Sequence, residues 1–385
     1  MERPDSSPEL VESPESVCRL LHEIEPVSRI AVDFESNGMF AYRGRVCVAQ
    51  LAWMTDRGIA RVAIIDTLAI PLSHLSSLLS NPRVLKVIHD LAFDARILAA
   101  ESVYLRGVRD TSVAASYLGK HETGLASLLR TELGVHVSKD KQNSDWSIRP
   151  FTAESLAYLA GDVQHLLALD STLTRQVETA QIVDEVATET AYRLVNALDA
   201  TEQPTEPHLR IHGTHHLDSV GWRVLEAIAQ TREHLAREKN LPPQRILGDR
   251  LLIAIAQRKP TTPAELSHYR PVGKLPSHER AALLHAITKA ITSNNEPSNE
   301  RHATPNPIPP AVRATRKGLE NRLREWRRTE AAQRQVNEQA ILPSHCIRRI
   351  VDSPPHTPEQ LAALPGFGPS RTKRYASVVL GLVAV

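Results

Sequence analysis

Aromatic side chains make up only 4% of this 385-residue chain, too few for broad platforms on which nucleic-acid bases could stack. Cysteine is nearly missing. Cys18, Cys47 and Cys346 stand far apart, with neither the paired spacing of a disulfide framework nor the ligand spacing of a zinc site. No apolar run approaches the roughly 20 residues needed to cross a bilayer. The opening stretch MERPDSSPELVESPES is acidic and rich in Pro and Ser, the opposite of a basic, apolar leader. These absences set the expectation of a reduced, soluble, cytoplasmic protein that engages no membrane.

What is present is ample for folding. Hydrophobic residues form 42% of the chain, and the length suggests two or three domains rather than one core. The net charge of +2 conceals an asymmetry: residues 1–200 carry 19 basic against 27 acidic side chains, whereas residues 201–385 carry 27 against 17. A basic half is suited to nucleic acid, because Lys and Arg displace counterions from phosphates; it can equally serve as a solvated face.

Residues 25–70 read as a meander of strands, RIAVDFES, RVCVAQLAWM and IARVAIID, broken by turn residues. LSHLSSLLS reads as a helix, RVLKVIHD as a strand and AFDARILAAES as a helix, with helical patterns dominating from 110 to 198. The order implies a mixed α/β domain. Two polar, Pro-bearing segments, 199–216 and 292–312, read as linkers, so the expected organisation is a flexible tail (1–20), an α/β domain (21–198) and two small helical units (217–291 and 313–385). The helical units look like a diverged repeat. Each has a charged helix with a Trp (Trp222, Trp326), a Leu-Pro break and a Pro-led helix start at TPAEL or TPEQL, aligned with a gap of six residues.

The chemistry lies in the acids. Asp33 and Glu35 alternate with Phe34 on one strand, so the two carboxylates share a face about 7 Å apart while Phe34 points away. Such a pair, in an apolar context, requires an opposite charge. A third acid, Asp90 or Asp94, sits on the helix after His89, and Tyr158 and Asp162 share a helix face one turn apart in an apolar stripe. Carboxylate oxygens suit Mg²⁺ or Mn²⁺, and a pair of such ions can drive phosphodiester hydrolysis.

Asp33-x-Glu35, His89 followed by Asp94, and Tyr158-x-x-x-Asp162 resemble the three exonuclease motifs of the DEDD superfamily, in its tyrosine-bearing branch. Residues 124–163, with SDWSIRP at 144–150, resemble the ribonuclease D family specifically, and the C-terminal repeats resemble HRDC domains. The likeness spans roughly residues 20 to 385. It implies a ribonuclease H-like α/β exonuclease domain with a mixed central sheet, then two all-α HRDC-type domains. It also implies Asp33, Glu35, Asp94 and Asp162 as ligands of two divalent ions (Mg²⁺ or Mn²⁺), Tyr158 as the residue that positions the attacking water, and no nucleotide cofactor. The implied activity is 3′→5′ hydrolysis of RNA to nucleoside 5′-monophosphates, with single-stranded 3′ ends of tRNA precursors and other small structured RNAs as substrates. The alternatives are a DNA exonuclease and a non-catalytic RNA-binding scaffold.

Expectations for RNA contact fall on the basic half: Arg324, Arg327 and Arg328 in the run 313–334, and Gly366, Gly368, Arg371, Lys373 and Arg374 in LPGFGPSRTKRY. That Gly-x-Gly turn could present backbone N–H groups to a phosphate, or simply connect two helices. Trp146 and Arg149 read as packing their loop onto the nuclease core, His89 as a structural residue, and His212, His215 and His216 as solvated.

Overall fold

The computed structural model describes residues 7–55, 58–138, 140–199, 206–293 and 309–384. They divide into two compact units, one built from the segments up to 36, 45–199 and 309–384, the other from 37–44 and 206–293.

The first unit is centred on a mixed six-stranded sheet in the order β1-β4-β3-β2-β5-β6. The strands are β1 (Glu9–Val11), β2 (Arg29–Ser36), β3 (Val46–Met54), β4 (Ala60–Asp66), β5 (Leu85–Ile88) and β6 (Val108–Asp110). β2 runs antiparallel to β3 and parallel to β5, and β6 continues the parallel edge. Helices follow in the order α1 (Pro14–Ile24), α2 (Ser76–Leu79), α3 (Leu91–Ala100), α4 (Thr111–Tyr117), α5 (Leu125–Leu133), α6 (Ala153–Gln164), α7 (Leu166–Thr179) and α8 (Val183–Asp199). Strand alternation sorts the core. Ile30, Val32 and Phe34 pack with Leu20, Leu91 and Leu98 on one face, while Ala31 joins Leu128, Val163 and Leu169 on the other. Asp33 and Glu35 therefore point to the face covered by α6.

Two boundaries differ from those expected. The N-terminal segment is no flexible tail from residue 9 onward. β1 pairs in parallel with β4, and Ser13 caps α1 through a reciprocal capping box with Ser16. In the first supposed linker, residues 200–205 lie outside the described residues, but 207–210 form a short 3₁₀ turn, His208 is buried and Ile211 enters the core of the second unit. Of the other linker, 294–308 lie outside the described residues.

The second unit contains α9 (Ser219–Glu238), α10 (Pro243–Ile246), α11 (Asp249–Arg258), α12 (Pro263–Ser267), α13 (Arg270–Gly273) and α14 (Ser277–Thr292). Residues 37–44 pack on it. The Tyr42 hydroxyl donates to Glu233 at 2.8 Å, and Arg245 stacks over Phe40. The C-terminal part of the first unit repeats the helical pattern with α15 (Pro310–Arg334), α16 (Glu338–Ile341), α17 (Ser344–Asp352), α18 (Pro358–Ala362) and α19 (Gly368–Ala384).

The repeat is real but its register is not the one built on the tryptophans. Buried Arg232 donates to the Leu247 carbonyl at 3.0 Å, and buried Arg327 donates to the Leu342 carbonyl at 3.1 Å. Thr262 and Thr357 then cap α12 and α18. All three pairs differ by 95 residues, so this stretch aligns without a gap and Trp222 and Trp326 are not equivalent.

Candidate active site

The carboxyl ends of the parallel strands β2, β5 and β6 converge on one cleft, the usual place for a ligand in an open α/β sheet. Its volume is about 600 Å³, within the range of about 300–1,000 Å³ common for ligand sites. Asp33, Glu35, His89, Asp94, Tyr158 and Asp162 all line it.

Each element is placed by local chemistry. The β2–β3 register shifts between Glu35 and Ser36, a bulge at the cleft rim of the kind that re-aims a strand end. Asp110, fully buried at the end of β6, fixes α3: its carboxylate accepts from the Asp90 and Leu91 amides at 3.1 Å each, and from Ser112 N at 2.8 Å. One carboxylate thus satisfies orphan N–H groups at the starts of both α3 and α4. Asp94 is turned inward and buried, whereas Asp90 is exposed at the cap with φ +64°. Thr152 caps α6, whose Leu159 and Val163 bury in the core while Tyr158 and Asp162 face the cleft.

Oxygens of Asp33, Glu35 and Asp162 come within 4.8 Å of one another, and among the described residues none of the four acids forms an ion pair. The electrostatic strain shows in their proton affinities. Burial, then the Asp162 charge, holds the Asp33 carboxyl well above the usual carboxylate range. Burial followed by the charges of Asp33 and Asp162 pushes Glu35 up to about 9. Asp94 is raised by burial and by Asp33 and Glu35, and burial lifts Asp162 to about 7 against the lowering effect of the neighbouring Tyr158 hydroxyl. Tyr158 itself is raised by burial and then by the Asp162, Glu35 and Asp33 charges, so it stays a neutral phenol. An all-oxygen, uncompensated, half-buried cluster fits hard divalent cations, whose charge would relieve the repulsion.

The loop before α6 supports this wall. Trp146 is buried and stacks on Tyr158 with ring centres 5.6 Å apart; its indole N–H lies near Glu35, short of full hydrogen-bond geometry. Arg149 makes a fork to Asp66 at 2.6 and 2.7 Å, donates to the Cys47 carbonyl at 3.0 Å and stacks over Phe151. His89 is held by Thr111 Oγ1 at 2.9 Å.

Most residues expected to contact RNA have other partners. Arg324 pairs with Glu320 at 2.6 Å; Arg327 is buried against Glu338 and Leu342. Arg371 is 1% exposed and donates to the carbonyls of Ala340, Gly366 and Phe367, and Arg374 pairs with Glu185 at 2.7 Å. The turn with Gly366 and Gly368 (φ +82° and +78°) packs on α8, where a Cβ would lie 3.2 Å from Tyr192 or 2.7 Å from Thr188. It is a docking turn, not an open phosphate nest. Lys373 remains exposed, and Arg328 is exposed with a loose pairing to Glu338 at 3.8 Å.

Three further residues had no place among the sequence expectations: Arg193, which lines the cleft, and Asp110 and Gln50, which are buried beside the elements that carry its acids. Asp110 carried a usable signal, an Asp just before a Thr-Ser helix start. Gln50, opposite Asp33 in the β2–β3 register and fully buried with no protein partner for its amide, stood out only as a lone polar residue in VCVAQLAWM. Arg193 carried no signal at all.

A family model for 3′-5′ exonucleases matches residues 8–178, and the HRDC domain model matches 223–287 and 316–383. Ribonuclease D of Granulibacter bethesdensis is 31% identical over 290 residues, covering 74% of this chain and 72% of its own. The fold is that of Escherichia coli RNase D (TM-score 0.71, 19% identity, 98% of both chains) and of a protein from Bifidobacterium adolescentis (TM-score 0.80, 19% identity, 100% and 99% covered). The mixed sheet, the acidic cleft and a relative this similar over most of both lengths lead to one conclusion: the chain belongs to the ribonuclease D family of 3′→5′ exoribonucleases.

Proposed function

We propose that Asp33, Glu35, Asp94 and Asp162 hold two divalent ions, Mg²⁺ or Mn²⁺, and that the cleft removes nucleoside 5′-monophosphates one at a time from single-stranded 3′ ends of RNA. The carrying observation is the convergence of three carboxylates within 4.8 Å, with no ion pair to any of them among the described residues. When bound, the ions would supply Lewis-acid charge to the scissile phosphate and lower the pKa of the attacking water. The chain's own residues supply position. Tyr158, beside Asp162, orients a water by hydrogen bonding; burial and the neighbouring acids keep its hydroxyl protonated, so it is not the base. Trp146 behind it limits its rotation. Phe93, half exposed at the cleft wall, offers a face to the terminal base. Precursors of tRNA and other small structured RNAs are the substrates proposed, with Arg328 and Lys373 as exposed cations for the RNA body. Incubating a tRNA precursor bearing a 3′ extension tests this reading. Trimming to a discrete end supports it, and indifference to the extension with activity on generic oligonucleotides removes the tRNA part.

A further inference from the structure

We propose that Arg193 is the cleft's phosphodiester-binding cation, positioned from the C-terminal helical segment through Glu189 and His345. This rests on the reading of the cleft as an RNA hydrolase. Among the described residues lining the cleft, Arg193 is the sole Lys or Arg. A polyanion entering between four acids needs such a counter-charge on the wall they leave free. The Arg193 side chain is 33% exposed and is gripped at one edge, with Nε donating to Glu189 Oε1 at 3.0 Å. That leaves its terminal amino groups to make a forked contact, the geometry that suits a phosphate.

An exposed i,i+4 pair would hold an arginine loosely. Here the acid is itself clamped. Glu189 is buried, and its Oε2 accepts from His345 Nε2 of α17 at 3.0 Å. The His345 ring lies flat on Tyr192 of α8, with centres 3.8 Å apart and planes 11° apart. Gly366 closes over it so tightly that a Cβ there would sit 2.3 Å from His345 Cε1. The α17 histidine and the turn before α19 thus fix a side chain of the nuclease cleft, although they lie more than 150 residues away in sequence. Arg193 contacts substrate; Glu189 and His345 are positioning residues.

The test uses a single-stranded RNA tetranucleotide, short enough to report on the cleft, and the full-length protein. In Mg²⁺, Arg193→Gln should raise KM roughly tenfold, the effect of losing a hydrogen-bonded charge, with a smaller change in kcat. Arg193→Lys, a point charge without the fork, should fall between. In an Asp33→Asn background, binding of the same RNA should lose about 0.7 from its log–log salt slope when Arg193 is neutralised. His345→Ala should raise KM severalfold, and His345→Gln, which keeps a donor in the Nε2 position, should restore it. An unchanged KM and salt slope in Arg193→Gln overturns the proposal, whatever the melting temperature does. If the wild-type protein fails to shorten RNA, the hydrolytic reading falls instead, and the binding arm in Asp33→Asn still decides on Arg193.

Discussion

At the scale of single residues, the cleft is a place where the fold tolerates repulsion. Asp33, Glu35, Asp94 and Asp162 all have folded-state pKa values above those of free carboxylates, so the native state binds more protons than the unfolded chain. Stability of the metal-free protein should therefore fall as pH rises from about 4 through the folded values, toward pH 9 for Glu35. Melting in EDTA across that range checks the sign. Adding Mg²⁺ or Mn²⁺ should raise the melting temperature more at pH 8 than at pH 5.5, since protons and metal compete for the same oxygens. Tyr158→Phe removes the hydroxyl and keeps the ring on Trp146, so kcat should drop about 10- to 100-fold with little change in KM or melting temperature. A full loss of folding, or no change in kcat, would contradict the water-positioning role.

At the scale of elements, what could be read from sequence followed how local the cause was. The Asp33–Glu35 pair and the Tyr158–Asp162 turn were legible because strand and helix periods fix which side chains share a face. Spacing alone did not choose between Asp90 and Asp94; the cap that Asp110 supplies to α3 turns Asp94 inward. The strands β1 and β6 went unread because each is three residues long and exists only through parallel pairing with distant partners. The glycines of LPGFGP announced a turn but not what covers it. Gly368→Ala should cost about 2–4 kcal/mol, from a left-handed backbone position plus a clash with Thr188, and should expose α19 to limited proteolysis. Gly381→Ala, with nothing within 4 Å, serves as the control and should be neutral or slightly stabilising.

At the scale of the whole molecule, the basic half of the chain is less available than its formal charge suggests. Arg232 and Arg327 occupy the same place in the two helical repeats, each bonded to a carbonyl 15 residues on, so they are structural pins. Arg371 and Arg374 tie α19 to its surroundings. Neutralising Arg328 or Lys373 should weaken RNA binding and reduce the salt slope by about 0.7 each, measured by titrating RNA at several salt concentrations. Arg327→Met should instead lower the melting temperature, because it leaves the buried Leu342 carbonyl without its donor and Glu338 without its shorter ion pair. The sequence could show where the cations lie along the chain. It could not show which face inward, since that depends on carbonyls and carboxylates brought together by folding.

The most direct test follows a 5′-labelled RNA with a single-stranded 3′ tail, incubated with Mg²⁺ or Mn²⁺, beside the Asp33→Asn protein. The expected result is a ladder shortening from the 3′ end, abolished by EDTA and reduced about 1,000-fold or more by the substitution. RNA left intact under every metal condition, or shortened equally by Asp33→Asn, would contradict a hydrolytic role for the acidic cleft.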